Sequence, residues 1–295
     1  MKNYILAMSM AVATLTFSSC QEDELNSQSI FDTSDVVAQQ NDFDIWLQKN
    51  FTAPYNIRVM YRLEDMESDL EHTAAPADFE KSQSLAKIVK YAWLEAYDEV
   101  AGIDFTRAYV PKILHFIGSA LYEDNGTMIL GTAEGGLKVT LNVVNDLTLN
   151  RTFLNTYYFR TMHHEFMHIL NQTKNYDTEY DQISEGLYVS GDWYLSSDTE
   201  ARQLGFIRNY SMSSPSEDIA DMLSMYVCHT PTEWQGFLRE AGTSGAAIIT
   251  QKLEMIKSYM DTAWNIDLDV LRDAVNRRMD DVVDGTLDVS PIVVL

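Results

Sequence analysis

The order of patterns along the sequence predicts an α+β protein, in which a mixed sheet covers one central helix and further helices follow. Three observations support this fold class. Short segments of alternating polarity lie before residue 145, and an apolar segment at 152–172 carries the pentapeptide HExxH at 164–168. Beyond residue 215, most of the sequence has the spacing of apolar residues that is typical of helices.

The domain organisation follows from shifts in composition along the chain. Residues 1–19 have the pattern of a signal peptide, and residues 20–40 are polar and rich in Ser, Asp and Gln. The second segment is predicted to be a flexible linker. Residues 41–295 are predicted to form a single domain, with a sheet lobe at about 41–150 and a helical lobe at about 151–295.

The N-terminal segment has the features of a lipoprotein leader. Lys2 precedes an apolar stretch at 5–17 that is too short to span a bilayer, and small residues lead into Cys20. This arrangement resembles the lipobox of bacterial lipoproteins, in which the cysteine becomes lipidated. The acidic cluster at 22–24 resembles the surface-export signal of Bacteroidetes lipoproteins. We therefore expect an outer-membrane lipoprotein at the cell surface.

Composition excludes several classes of partner. The chain has 21 Lys and Arg against 44 Asp and Glu, which disfavours binding to nucleic acid or to anionic lipid head groups. Its 46% hydrophobic content is enough for a large core. The cysteines are Cys20 and Cys228. Once Cys20 is lipidated no disulfide can form within the chain, and Cys228 is predicted to be a small buried apolar residue.

The first half of the domain contains alternating segments and one amphipathic helix. A strand is predicted at 55–63 and a helix at 82–100, which ends at Gly102. A second strand is predicted at 112–122. A turn signal after it predicts a hairpin into residues 127–131.

The segment at 137–144 alternates regularly between apolar and polar residues after two glycines. This alternation predicts a strand with one buried face and one face in water. We expect it to form the sheet edge above the central helix, where an extended peptide could add through main-chain hydrogen bonds.

The central segment, 152–172, contains no Pro or Gly and is predicted to be a buried helix. His164 and His168 are four residues apart and so share one helix face, from which both imidazoles can bind one metal ion. Glu165 lies beside them, where it can take a proton from a metal-bound water. This pattern favours a zinc-dependent hydrolase.

The remainder of the chain is predicted to be mostly helical after one long aromatic loop at 174–200. Helices are predicted at 216–227, 232–240, 244–264 and 268–280.

A catalytic zinc site needs a third protein ligand. Asn171 and Lys174 occupy the positions at which the HExxHxxGxxH motif would have Gly and His, so that motif is excluded. A cysteine ligand from upstream of the helix is excluded as well, because no cysteine lies between residues 21 and 227. The remaining choice is a carboxylate from a later segment.

Glu217 is the preferred third ligand, and Glu185 is the alternative. Glu217 and Asp221 are four residues apart on a predicted helix, so Asp221 could accept the N–H of a liganding imidazole while Glu217 binds zinc. The same acids could instead complement the dipole at the helix N-terminus. Asp218 points away from both and is predicted to be a capping residue.

The pair Glu217 and Asp221 resembles the gluzincin arrangement, in which a downstream Glu-bearing helix completes the zinc site. Tyr210 lies seven residues before Glu217. Metallopeptidases with this spacing, including the catalytic domain of anthrax lethal factor, use the Tyr hydroxyl to hold the oxyanion. The resemblance implies that role for Tyr210, although it could equally be a packing residue.

Three other histidines are predicted to have no role in the chemistry. His163 is one residue off the ligand face and is predicted to lie at the rim of the cleft. His115 and His229 are predicted to be structural.

The lipobox, the HExxH helix, the Tyr-x6-Glu-x3-Asp segment and the run at 131–137 together resemble the zinc metallopeptidase lipoproteins of Bacteroidetes. Members of that family accompany TonB-dependent importers and their SusD-like lipoprotein partners. The resemblance implies a zincin-like fold, one Zn²⁺, and a surface hydrolase that acts on peptides or glycopeptides beside an importer.

A non-catalytic surface binding protein is the alternative. In that case the zinc is structural or absent, and aromatic residues of the loop at 174–200 hold a ligand. The aromatic residues concerned are Tyr176, Tyr180, Tyr188, Trp193 and Tyr194.

Overall fold

The computed structural model describes residues 40–63, 73–123, 126–129, 131–134 and 137–292. Residues 41–295 group into one compact unit. The predicted signal peptide, Cys20 and the linker up to residue 39 lie outside the described residues, and their assignment stays a prediction. Among the described helices, none combines the length and the apolar character needed to cross a bilayer.

The strands form one four-stranded sheet and one short hairpin. The strands are β1 (Arg58–Met60), β2 (Ile113–Phe116), β3 (Leu121–Tyr122), β4 (Met128–Ile129), β5 (Gly131–Glu134) and β6 (Lys138–Leu141). The sheet order is β1-β2-β6-β5, with β1, β2 and β6 parallel and β5 antiparallel to β6. The predicted hairpin is present as the antiparallel pair of β3 and β4.

The predicted role of the strand at 137–144 is wrong in two respects. β6 lies between β2 and β5, so β5 rather than β6 is the edge strand of the described sheet. Neither face of β6 is in water, because Lys138 and Thr140 are buried as well as Val139 and Leu141. The difference has a physical reason: Gly131–Glu134 forms β5 and pairs with β6, and local alternation does not predict this pairing.

The helices account for most of the remaining structure. They are α1 (Asp42–Leu47), α2 (Ala53–Tyr55), α3 (Phe79–Val89), α4 (Glu95–Ala101), α5 (Ile103–Tyr109), α6 (Arg151–Leu154), α7 (Arg160–Thr173), α8 (Glu179–Ile183), α9 (Asp198–Gln203), α10 (Pro215–Cys228), α11 (Pro231–Trp264) and α12 (Leu268–Val283). Short π-helical turns join α1 to α2, α3 to α4 and α6 to α7.

Most of the predicted helices are confirmed, with differences at their ends. The helix that begins at Phe79 ends at Gly102, whose φ of +85° an L side chain rarely adopts. The two helices predicted at 232–240 and 244–264 are the two parts of α11. They meet at Gly242, whose backbone angles are not helical, so the predicted division is confirmed. The segment at 174–200 contains α8 and a 3₁₀ helix, so the prediction of one long loop was partly wrong.

The strands predicted before the central helix are shorter than expected. Of the segment 55–63, Arg58–Met60 is extended, because the preceding Asn56 has a φ of +56° and ends α2. Within the strand predicted at 112–122, the structure has two separate shorter strands, β2 and β3.

One hydrophobic core contains residues from both halves of the domain. α7 buries Met162, Phe166 and Leu170 on the stripe that their spacing predicts. Phe166 packs edge-on against Trp93 and Tyr97 of the long helix that begins at Phe79. This packing fixes the rotation of α7, so that the opposite face points toward α10 and the edge strand β5.

Candidate metal centre

The first two candidate ligands come from one face of α7. His164 and His168 are one turn apart, and their Nε2 atoms lie 3.1 Å from each other. The side chains of His164 and His168 are 10% and 21% exposed, so both rings are held in a partly desolvated position. The structure therefore brings together the two imidazoles that the HExxH motif predicts.

The third candidate ligand comes from the first turn of α10. Ser214 caps this helix, and its hydroxyl accepts a hydrogen bond from the Glu217 N–H. Glu217 Oε2 lies 2.9 Å from His164 Nε2 and 3.4 Å from His168 Nε2. Among the described residues, His164, His168 and Glu217 are the group that can offer three ligand atoms to one ion.

The three donor atoms fit a tetrahedral zinc ion. At the usual Zn–N and Zn–O lengths, two ligand atoms of a tetrahedral site are about 3.3 Å apart. The three observed separations of 2.9, 3.1 and 3.4 Å are close to that value. Two imidazoles and one carboxylate are also a donor set that catalytic zinc sites use.

Asp221 fixes the orientation of His164 from behind. Its Oδ1 lies 3.0 Å from His164 Nδ1, while Oδ2 accepts hydrogen bonds from Arg208 Nε at 2.7 Å and Ser211 Oγ at 2.9 Å. A carboxylate can only accept, so Nδ1 carries the proton and the lone pair of Nε2 points toward Glu217.

This arrangement calls for a positive charge between the ligands. The lone pair on His164 Nε2 and the oxygen of Glu217 are both acceptors, and a proton or a cation must separate them. Burial alone lowers the pKa of His164, but Asp221 and Glu217 raise it to about 9. Burial alone would raise the pKa of Glu217, but His164 and His168 hold it well below its usual range. A divalent ion supplies the same charge.

Glu165 lines the cavity beside the ligands. Its side chain is half-buried, and burial raises its pKa above the usual range. A carboxylate with a raised pKa is a better proton acceptor at neutral pH than a solvated one.

Tyr210 also lines this cavity. Its ring centroid lies 5.9 Å from that of His164, and Trp193 packs edge-on against it at 4.9 Å. Burial, followed by Glu217 and Asp221, raises the pKa of Tyr210 above its usual range. Its hydroxyl therefore stays protonated and can donate a hydrogen bond.

The cavity has a volume of about 640 Å³ and opens to solvent. Its lining residues come from the β3–β4 hairpin, α7, the segment 191–210 and α10. They are Glu123, Thr127, Met128, Ile129, Arg160, Thr161, His164, Glu165, Gly191, Trp193, Arg208, Asn209, Tyr210 and Asp221.

Several predicted residues lie elsewhere. Glu185, the alternative ligand, is exposed and does not belong to the three-residue group. The capping role predicted for Asp218 is wrong, because its carboxylate is fully buried and accepts a hydrogen bond from Lys252 Nζ at 2.6 Å. The prediction for His163 is also wrong, because it is fully buried and its Nδ1 lies 2.9 Å from the Tyr97 hydroxyl. Cys228 is buried, as predicted.

The aromatic residues of the segment 174–200 do not share one surface. Trp193 belongs to the cavity at the metal ligands, whereas Tyr176 and Tyr180 line a second cavity of about 630 Å³. Tyr188 donates to Asp218 at 3.1 Å, and Tyr194 is 43% exposed. A single aromatic binding face is therefore not formed by these five residues.

Sequence reasoning missed Arg208 and Ser211. Both lie in the segment that carries Tyr210, and both donate to Asp221. The signal that could have found these two residues is chemical. A buried carboxylate that does not bind the metal needs hydrogen-bond donors of its own.

Comparison with known proteins gives a family. A family model described as "Putative zinc-binding metallo-peptidase" matches residues 36–269. Among solved structures, the chain is similar to the "putative zinc-binding metallo-peptidase from Bacteroides caccae ATCC 43185", with 48% sequence identity and a TM-score of 0.77. That match covers 90% of this chain and 100% of the other. A search among curated proteins found no match. Because the family model spans most of its length, the chain belongs to the family described as "Putative zinc-binding metallo-peptidase".

Proposed function

We propose that the chain is a zinc-dependent peptidase with a zincin-like fold, in which His164, His168 and Glu217 hold one Zn²⁺. The observation that carries this proposal is the triangle of ligand atoms, whose sides of 2.9, 3.1 and 3.4 Å suit a single tetrahedral ion. The zinc-binding family to which the chain belongs supports the choice of metal.

The residues of the chain would share the chemistry as follows. When bound, zinc supplies a Lewis acid that polarises a carbonyl group and lowers the pKa of water. Glu165 takes a proton from the water whose oxygen attacks the carbonyl carbon. As the C–N bond breaks, Glu165 gives that proton to the leaving nitrogen. Tyr210 donates a hydrogen bond to the oxygen that becomes negatively charged.

Peptides or glycopeptides are the proposed substrates. The edge strand β5 lies next to α7, so an extended peptide can add to the described sheet beside the metal ligands. The cavity of about 640 Å³ has room for side chains of that peptide.

The test compares Glu165→Gln with Glu185→Gln. Both changes remove one carboxylate, but Glu185 is exposed and lies outside the three-residue group. Zinc content is measured by elemental analysis, and hydrolysis of a mixed peptide library is followed with and without a chelator. We expect one zinc in both variants, loss of turnover in Glu165→Gln, and chelator-sensitive turnover in Glu185→Gln. Full turnover by Glu165→Gln would remove Glu165 from the mechanism.

The binding-protein alternative predicts a different result from the same assay. Stoichiometric zinc without cleavage of any library peptide by the unmodified protein would favour a structural zinc in a surface binding protein.

We further propose that the protein is a surface lipoprotein, attached through Cys20, that acts beside a TonB-dependent importer and its SusD-like partner. This proposal rests on the lipobox, the acidic cluster after it and the family resemblance. Labelling of cells with a palmitate analogue should mark the protein but not its Cys20→Ala variant. Protease treatment of intact cells and co-purification from native membranes test the surface location and the importer.

A further inference from the structure

Two arginines line the cavity beside the candidate metal ligands. Arg160 and Arg208 share it with His164 and Glu165. Basic residues are scarce in this chain, which has 21 Lys and Arg against 44 Asp and Glu. An arginine that has no acidic partner in such a chain calls for an explanation.

Arg160 has no such partner among the described residues. It lies one turn before His164 on α7, and the hydrogen-bond contact of its guanidinium is a weak one from Nη1 to Met225 Sδ at 3.9 Å. Its Nε is buried and has no hydrogen-bond partner in the described part of the chain. Burial, followed by the nearby Arg208, lowers the pKa of Arg160 to about 10, so the side chain is still charged at neutral pH. Arg160 is half-buried, and a partly desolvated charge of this kind is unfavourable unless an anion meets it.

The positive charge of Arg208 is only partly neutralised by Asp221. Its Nε donates to Asp221 at 2.7 Å, but no described residue accepts a hydrogen bond from its two η nitrogens. The side chain is 19% exposed, and its guanidinium carbon lies 5.1 Å from the centroid of the Tyr210 ring. The η nitrogens of Arg208 are therefore available to donate hydrogen bonds to a ligand in the cavity.

Other acids near this pair do not form an ion pair with Arg160 among the described residues. Glu165 lines the same cavity, and Asp221 acts on Arg160 through space, but neither accepts a hydrogen bond from its guanidinium. Glu123 lines the same cavity but lies outside ion-pair distance of both arginines. Asp198 acts on both arginines through space. However, its Oδ1 already accepts from the Asn209 N–H at 2.9 Å, and its side chain is 46% exposed.

We propose that Arg160, assisted by the η nitrogens of Arg208, binds a carboxylate of the substrate beside the metal. This inference rests on the proposed peptidase function and specifies its substrate. A guanidinium presents a planar fork of N–H donors that matches a carboxylate, and such hydrogen bonds are stronger than neutral ones. The carboxylate can be the C-terminus of a peptide or the side chain of Asp or Glu.

The experiment uses two matched pairs of peptide libraries. The first pair differs in having free or amidated C-termini, and the second, amidated throughout, differs in having Glu or Gln at one fixed position. Retention on immobilised, zinc-loaded Glu165→Gln protein measures binding without turnover. Cleavage by the protein with Glu165 intact is measured in parallel.

Arg160→Met is compared with Arg151→Met, with Glu165→Gln present in both for the binding assay. Arg151 lies on the same long helix, but its guanidinium pairs with Asp280 and Asn276 away from the cavity. Zinc content is measured in each variant, so that a loss of metal is recognised. Arg160→Lys serves as a second variant, since it keeps the charge but loses the fork.

We expect retention to favour the carboxylate-bearing member of one pair by about tenfold or more, as charge-assisted hydrogen bonds allow. Arg160→Met should bring that ratio to about one, Arg160→Lys should give an intermediate ratio, and Arg151→Met should keep it. A preference in the first pair identifies the C-terminus, and one in the second identifies an acidic side chain.

Equal retention within both pairs by zinc-loaded protein would overturn the carboxylate site, as would a preference that survives in Arg160→Met. Retention that depends on Arg160 without cleavage of any library would instead uphold the carboxylate site and count against the peptidase.

Discussion

Helix α10 carries two buried aspartates, Asp218 and Asp221, whose surroundings differ in kind. Asp221 receives hydrogen bonds from Arg208 and Ser211 and orients His164. Asp218 receives them from Lys252 and Tyr188, and its Oδ1 has no partner among the described residues.

The pKa values of the two carboxylates differ as a result. Burial by itself raises the pKa of each. For Asp221, Arg208 and His164 outweigh burial and lower the pKa to about 2. For Asp218, burial outweighs Lys252 and raises the pKa to about 6. The number of donors around each carboxylate, rather than depth alone, therefore decides which of the two has the lower pKa.

The comparison assigns the two sides of α10 to different tasks. Asp221 orients His164, a candidate metal ligand, whereas Asp218 joins α10 to α11 through Lys252. Lys252 is fully buried and also donates to the Gly205 carbonyl at 3.1 Å. We therefore expect changes near Asp218 to reduce stability and changes near Asp221 to reduce metal binding and turnover.

The largest effect is expected from Lys252→Met. It leaves the buried Asp218 without its counter-charge, and removal of one partner from a buried ion pair costs about 3–5 kcal/mol of unfolding free energy. Denaturant unfolding in the presence of a chelator measures the loss. The double variant Asp218→Asn with Lys252→Met should recover most of it. No recovery in the double variant would show that Lys252 contributes by packing rather than by charge.

The next largest effect is expected from the substitution of two tyrosines, one beside each aspartate. Tyr210→Phe should retain zinc and lower kcat by about a hundredfold or more, which is the usual effect of removing one oxyanion donor. Tyr188→Phe removes the donor to Asp218 and should lower stability by about 1 kcal/mol with little change in kcat. Steady-state kinetics on one cleaved library peptide measures both. An equal kcat for Tyr210→Phe and the unmodified protein would assign Tyr210 to packing.

A smaller effect is expected on zinc affinity. Asp221→Asn should weaken zinc binding by about 10–100-fold, because the hydrogen bond that orients His164 becomes weaker. The matched Asp218→Asn should change the affinity by less than the lower end of that range. Competition with a coloured chelator measures both dissociation constants. Equal losses in the two variants would mean that α10 acts on the metal site only through its stability.

Local spacing explains how much of the site could be predicted. His164 and His168 meet because any helix brings positions i and i+4 together. Glu217 and Asp221 share a face for the same reason, and a helix N-terminal signal placed them on one helix. The meeting of the two helices follows from no local spacing. Its prediction depends on the need for a third ligand and on the resemblance of the Glu217–Asp221 pair to the gluzincin arrangement.

The parts that failed depend on long-range packing. β5 was missed because pairing partners, not local composition, decide whether a short glycine-rich run becomes a strand. The burial of His163 and Asp218 depends on which neighbours cover the rear faces of α7 and α10. Arg208 gained its role only through the fold that brings it to Asp221.

The central claim is that His164, His168 and Glu217 bind one zinc ion and leave one position for water. Crystals of the zinc-loaded protein, measured on both sides of the zinc absorption edge, test it directly. We expect one anomalous peak at about 2.0–2.2 Å from an Nε2 atom of each histidine and an oxygen of Glu217, with no fourth protein ligand. A peak elsewhere, or a fourth protein atom bound to the ion, would contradict it.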